Sequence, residues 1–312
     1  MSVTMKREQW LDKSFCAITF GAAFLVLVII VSIFISLFQE SLLAIETFGF
    51  FDFVTGTQWD PVREIFGAAT TLYGTLVTTL LALIMAVPVA MGIAIFITEL
   101  CPAFLRPIFG TAIELLAAIP SIIYGMWGLF TFAPLMGEYV EPVLQNIFEP
   151  IPIIGHLFTG VPLGIDILTT SIVLSIMIIP FIASIVRDTF TQTPLQLKES
   201  AYGIGATRWE VVKDVMIPHA KTGILGSIII AMGRALGETM AVAFVLGNKH
   251  SIATSLFDAS ATITVTLANE FTEADSDLYL SSLFYLALIL LGMNFLLLAL
   301  AKTFLAHKRN KV

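Results

Sequence analysis

Three charged side chains stand inside otherwise apolar runs of this 312-residue sequence: Glu114, Arg234 and Glu238. A charge at the centre of a membrane helix costs roughly 2.5–3.5 kcal/mol on insertion scales, so such residues usually serve a bundle interior or a path for polar cargo. Arg234 and Glu238 lie in Gly233-Arg234-Ala235-Leu236-Gly237-Glu238-Thr239. The i, i+4 spacing predicts that they sit one above the other on a helix face. A guanidinium held by a movable carboxylate suits the capture of an anion, and its planar fork matches phosphate oxygens in particular. A structural ion pair, neutralised for insertion, accounts for the spacing equally well. Gly233 and Gly237 add a G-x-x-x-G strip against which a neighbouring helix can close. For Glu114 the sequence requires only that the carboxylate find a partner.

A second concentration of polar chemistry lies between Arg187 and Asp214, where Arg187, Asp188, Lys198, Glu199, Arg208, Glu210, Lys213 and Asp214 fall in one stretch. Thr193, Pro194 and Gln196 predict a capped helix start, and Gly203 and Gly205 predict its end. Thr207 followed by Glu210 predicts a second capping box. It opens a helix with Trp209, Val212, Val215 and Met216 on one side, ending before Pro218. Two short helices around a glycine turn form either an interfacial hairpin in the headgroups or a knob that presents an apolar stripe to a soluble partner.

Other chemistries are missing from the sequence. No G-x-x-x-x-G-K-[ST] cradle for nucleotide phosphates occurs, so any ATP-driven function needs a second polypeptide. His156, His219, His250 and His307 show no metal-ligand spacing, and Cys16 and Cys101 suggest no zinc site. Both cysteines are expected to be thiols in a reducing compartment.

The elements that must position these groups are membrane helices. With 57% hydrophobic and 12% charged residues, and a mean hydropathy of +0.94, the chain departs from soluble composition. A spanning helix needs about 20 apolar residues, and six runs qualify: approximately 14–38, 68–98, 108–136, 165–186, 219–247 and 279–306. Flat hydropathy over such lengths excludes a transmembrane β-barrel. The first run is too long for the core of a cleaved signal peptide and lacks a small-residue cleavage site. Positive residues mark the cytoplasmic side. With the N-terminus inside, Lys6, Arg7, Lys13, Arg106, Arg187, Lys198, Arg208, Lys213, Lys221, Lys302, Lys308, Arg309 and Lys311 are cytoplasmic, whereas Arg63 and Lys249 lie outside. Both termini are then expected inside, with the polar loop 187–218. The acids of the outer loops, Glu141, Asp166 and Glu270 among them, account for the net charge of −7, which carries no implication of nucleic-acid binding. Pro88, Pro120 and Pro180 are expected to kink their spans. The outer loops, about 39–67, 137–164 and 248–278, serve either to dock a partner or as a solvated cap. A single domain over 1–312 is the simplest organisation.

The order Glu199-Ser200-Ala201, three residues, Gly205, nine residues, Val215-Met216-Ile217-Pro218 closely resembles the EAA motif of ABC-importer permeases, with Ser200, Val215 and Ile217 as conservative departures. The runs 59–100, 113–130 and Arg234-Ala235-Leu236-Gly237-Glu238-Thr239 resemble phosphate-specific permeases of the C type, and TGTQWDP favours that type over the sister A permease. The resemblance implies a six-helix, all-α type I importer permease in a prokaryotic inner membrane, with the loop as a coupling helix seated on an ATPase subunit. Glu199, Ala201, Gly205 and Pro218 would be its coupling residues, and Arg234 and Glu238 would border the substrate path. It further implies a sister permease, two ATPase subunits that use ATP with magnesium, and a phosphate-binding protein. A permease for sulfate or molybdate, or a self-contained secondary transporter or channel, are the competing readings.

Overall fold

The computed structural model describes residues 2–152 and 154–309, with side chains from 11 to 303 apart from residue 153. Lys6, Arg7, His307, Lys308, Arg309 and Lys311, named above, fall outside the described side chains. The chain is helical almost throughout. It runs through α1 (Ser2–Glu40), two short helices α2 (Leu42–Phe48) and α3 (Phe50–Thr55), and a two-stranded antiparallel hairpin of Trp59–Asp60 and Ile65–Phe66. There follow α4 (Ala69–Leu100), α5 (Arg106–Ala117), α6 (Ser121–Phe148), α7 (Ile167–Thr191), α8 (Leu195–Gly203) and α9 (Arg208–Leu236). Short α10 (Met240–Val245) and α11 (Ile263–Glu270) precede the last helix, α12 (Asp277–Arg309).

Five helices, in α1, α4, α7, α9 and α12, are long and apolar enough to cross a membrane; the pair α5 and α6, bent by 85°, makes a sixth if it is one span. The interruption falls at Ala118, Ile119 and Pro120. Pro120 has an extended backbone, with φ −59° and ψ 137°, and no N–H to continue the ladder. The kink expected there is a complete break. Pro88 and Pro180 instead sit inside α4 and α7, which remain single helices.

α7 is the central helix, with two thirds of its apolar window buried. It packs most extensively on α4. On α4, Thr70, Gly74, Thr78, Ala82, Ala86, Ala90 and Ala94 are all buried at a strict four-residue spacing. Such a ridge of small side chains brings two helix axes close together, which is how membrane helices associate when apolar burial offers no net gain over lipid. At Gly74 the ridge meets a further segment: an added Cβ would overlap the carbonyl of Ala261, which leads to α11. By contrast, none of the apolar window of α1 is buried within the chain.

The expected long outer loops are structured. The 39–67 segment holds α2, α3 and the hairpin, and the 248–278 segment holds α11. Trp59 Nε1, Tyr279 Oη and His250 Nε2 converge on the Glu270 carboxylate at 2.6, 2.7 and 3.0 Å, with the Trp59 and His250 rings stacked. Burial pushes the Glu270 carboxyl up, but the hydrogen bonds from His250, Tyr279 and Trp59 outweigh it and hold it below the ordinary glutamate range. Two acids assigned to these loops are also buried. Glu141 accepts from the N–H of Gly164 and from Thr169 Oγ1, and Asp166 caps α7 by accepting from the N–H of Thr169 at 2.8 Å. Burial, with Glu141 alongside, pushes the Asp166 carboxyl up to about 8.

Candidate functional site

The polar loop joins α7 to α9. Its first helix, α8, has no buried residue, and Leu195, Tyr202 and Ile204 are exposed, Ile204 at 89%. The cap expected at Thr193 does not form: Pro194 takes the N-cap position with Leu195 first in the helix, there is no side-chain cap, and the buried Thr193 hydroxyl has no partner. The turn behaves as expected. Gly205 has φ +92°, a conformation that excludes β-branched side chains, and an added Cβ would meet nothing. Thr207 and Glu210 form the expected reciprocal capping box.

The second loop helix does not end before Pro218. After one turn it widens into a π-helical stretch, Val211–Met216, and continues through Pro218 to Leu236. Proline lies there at the second position of a fresh α-helical segment, where its missing N–H is least costly. The expected apolar stripe is likewise divided. Val212 and Met216 are buried in the chain's own core and Val215 packs against it, whereas Trp209 is 64% exposed. Facing outward from this end are Trp209, Ile204 and the exposed residues of α8, among them Glu199, while Ala201 packs inward against the core.

In the middle of the run 219–247, α9 stops at Leu236. The N–H groups of Gly237 and Glu238 close long bonds to the carbonyls of Gly233 and Ala235, both 3.3 Å, and α10 begins afresh at Met240. The stacked pair expected of Arg234 and Glu238 is therefore absent. Glu238 has left the helix and is nearly buried; its Oε1 accepts from the N–H of Ala241 at 3.3 Å, satisfying a free donor of the new helix. Its backbone carbonyl accepts from Thr264 Oγ1 at 2.8 Å, tying the break to α11. Arg234 remains on the last turn of α9, exposed, with its guanidinium 5.9 Å above the Phe181 ring. No carboxylate pairs with it among the described residues. Gly233 is approached by Leu298 of α12 at ordinary contact distance, so the strip operates through one glycine only.

The two interruptions are neighbours. A Cβ on Gly125, in the first turns of α6, would fall 2.8 Å from the Phe244 ring and 3.0 Å from Ala241 Cα of α10. Tyr124 Oη donates across the α5–α6 break to the carbonyl of Leu116 at 3.1 Å. Interrupted helices side by side expose backbone dipoles where a continuous helix has none, an arrangement that membrane transporters use to bind ions.

Glu114 finds its partner at the loop end of the bundle. Arg187 Nη2 donates to Glu114 Oε1 at 2.8 Å and also to Asp188 Oδ1 at 2.7 Å. A second pair, Lys198 Nζ to Glu99 Oε1 at 2.7 Å, joins α8 to the π-helical end of α4. Nothing in the sequence singles out Glu99, which lies 99 residues from its partner. Both pairs line a cavity of about 510 Å³ together with Arg106, Thr111 and Thr193.

Residues 72–309 match the family model of binding-protein-dependent transport system inner membrane components. The chain belongs to that family. It is 54% identical to the "Phosphate transport system permease protein PstC" of Mesorhizobium japonicum, over 96% of this chain and 91% of that protein. The protein of the same name in Pasteurella multocida is 49% identical over 93% and 90% of the two chains. Among solved structures, a bacterial ABC transporter involved in import of the acidic polysaccharide alginate has the same fold, with a TM-score of 0.60 and 17% identity over 96% of this chain and 99% of that one.

Proposed function

We propose that this chain is the permease subunit of an ATP-driven importer of inorganic phosphate, a multi-pass protein of a prokaryotic inner membrane with both termini and the polar loop cytoplasmic. The observation that carries the reading is identity of about half over nearly the whole chain to proteins named as phosphate transport permeases. In this reading the translocation path is shared with a sister permease, and a phosphate-binding protein delivers cargo from outside. ATP with magnesium is hydrolysed by a separate pair of ATPase subunits, because this sequence has no nucleotide cradle.

The geometry supports a division of labour. The loop would be the coupling element: Glu199 and the apolar residues around Gly205 would meet the ATPase, Ala201 would pack the loop on the bundle, and Pro218 would mark the start of the regular helix leading away from it. Arg234, free of Glu238, would meet the anion, while Glu238 holds the break in α9 open for it. An anion crossing an apolar bundle needs compensating charge, and a guanidinium near a ring face rather than locked in an ion pair offers it at low cost.

The test is uptake of labelled phosphate by the complete complex in vesicles. Uptake should require ATP, survive collapse of the proton gradient and resist competition by sulfate and molybdate. Arg234→Gln should abolish it while the subunits still co-purify. Phosphate uptake by the isolated chain, or wild-type uptake by Arg234→Gln, would refute the reading. Orientation is checked separately: in a background lacking Cys16 and Cys101, Asp60→Cys and Asp275→Cys should react with an impermeant thiol reagent added outside, and Arg208→Cys should not.

A further inference from the structure

We infer that the pairs Lys198–Glu99 and Arg187–Glu114 form the mechanical link from the polar loop to the interrupted span α5–α6, so that these four are positioning residues for transport. The inference rests on the importer reading above, and it begins from how α8 is held. No residue of α8 is buried; Ala201 packs partway against the core, and the helix has one shielded charged anchor. That anchor is Lys198, whose ammonium meets Glu99 at 2.7 Å with the two side chains only 16% and 14% exposed. An ion pair shielded to that degree loses little to solvent screening and resists breakage, because removing either charge strands the other in a poor environment.

Glu99 is placed to pass the motion on. It lies in the π-helical stretch Phe96–Leu100, where α4 departs from regular geometry before it ends at Cys101. The carbonyl of Cys101 accepts from Arg106 Nε at 3.0 Å, and Arg106 is the first residue of α5. Movement of α8 is thus delivered through Lys198, Glu99 and the end of α4 to the base of the broken span. The second pair reaches the same half-helix further up. Arg187, near the end of α7, binds Glu114, four residues before the break begins at Ala118. Gly110 is part of this arrangement: a Cβ there would fall 2.6 Å from Arg187 Nη1, so a larger residue would make the guanidinium shift from its present path to Glu114. Glu114 is 58% exposed, and Arg187 divides its donors between it and Asp188, so this pair is the weaker of the two.

A short helix held by a shielded ion pair to one helix end, which in turn holds the half-helix before the break, is a connected train of parts between a docking surface and the interrupted span. Cohesion alone would require the pairs only for assembly. Transmission requires them for the ratio of phosphate moved to ATP hydrolysed.

The experiment uses the whole complex, with ATPase subunits, sister permease and binding protein, reconstituted in liposomes, and reads phosphate uptake and ATP hydrolysis together. Lys198→Gln and Glu99→Gln should each lower phosphate transported per ATP by about fivefold or more, the lower end of ordinary coupling factors, while the subunits co-purify in wild-type proportion. Exchanging the charges, Lys198→Glu with Glu99→Lys, should restore at least half of the ratio. Glu114→Gln and Gly110→Ala should act in the same direction but less. An unchanged ratio in the single variants, even with a less abundant complex, would overturn the inference, as would a charge exchange no better than the singles. Absence of ATP-driven phosphate uptake in the wild-type complex would instead refute the importer reading on which this rests.

Discussion

The two ends of the bundle are built from different interactions. At the loop end, charges pair across helices, as Lys198 does with Glu99 and Arg187 with Glu114, and apolar side chains such as Ile204 and Trp209 are left uncovered. At the far end, the acids Glu141, Asp166 and Glu270 are enclosed and accept mainly from hydroxyl, indole and backbone donors, with Asp166 Oδ2 left without a partner. The difference lies in how charge is held: the far end encloses its acids, whereas the loop end pairs its charges between helices beside exposed apolar side chains. Charge pairs suit an end that must move, since they act over distance and tolerate small displacements. Short hydrogen bonds to fixed donors weaken steeply with misalignment and suit an end that must hold its shape.

That contrast can be broken by substitution. The largest effect is expected from Gly205→Val, which places a β-branched residue at φ +92°, at a strain of about 1–2 kcal/mol. Transport should fall at least tenfold while helical content and membrane insertion are retained. Normal coupling in that variant would move the working surface away from the loop. At the far end, Glu270→Gln leaves the indole, phenol and imidazole donors with a weaker acceptor, a loss of about 1–3 kcal/mol. The thermal midpoint should drop, with transport by the folded fraction unchanged; a coupling defect without a stability loss would erase the distinction between the two ends.

A third test is a pH dependence. Asp166 is held at about 8, well above the ordinary aspartate value, so the folded state retains a proton that the unfolded chain releases. Its contribution is fully present below the unfolded pKa, near 4, and is lost as pH rises through about 8. The thermal midpoint in detergent should therefore decline over that window, and Asp166→Asn, which keeps an acceptor for the Thr169 N–H, should flatten the decline. An unaltered slope in the variant would mean that the far end is not sealed by a protonated acid.

These features were unevenly legible in the sequence. The Thr207–Glu210 capping box and the positive φ of Gly205 could be read directly, because caps and glycine turns are decided by neighbours within a few residues. The stacking expected of Arg234 and Glu238 fails because the helix does not continue through Gly237. A glycine with an acid after it equally marks a helix end, where the carboxylate can accept from a free N–H of the next helix, as Glu238 does from Ala241. Pro218 misled in the opposite way, since a π-helical stretch reset the ladder before it. The partners of Glu99 and Glu114 lie 99 and 73 residues away and are chosen by tertiary packing, which no local pattern encodes. The burial of Glu141 and Asp166 also escaped notice, because a count of loop charges treats every acid as solvated.

The exposed first helix has a consequence of its own. α1 packs mainly along α12, keeps its apolar residues uncovered, and precedes the 72–309 region that defines the family. Within this chain it is therefore a peripheral helix, held along one side only. Replacing 11–40 with an unrelated apolar helix of equal length should leave the remaining fold standing and change only which neighbour, lipid or protein, lies against that side.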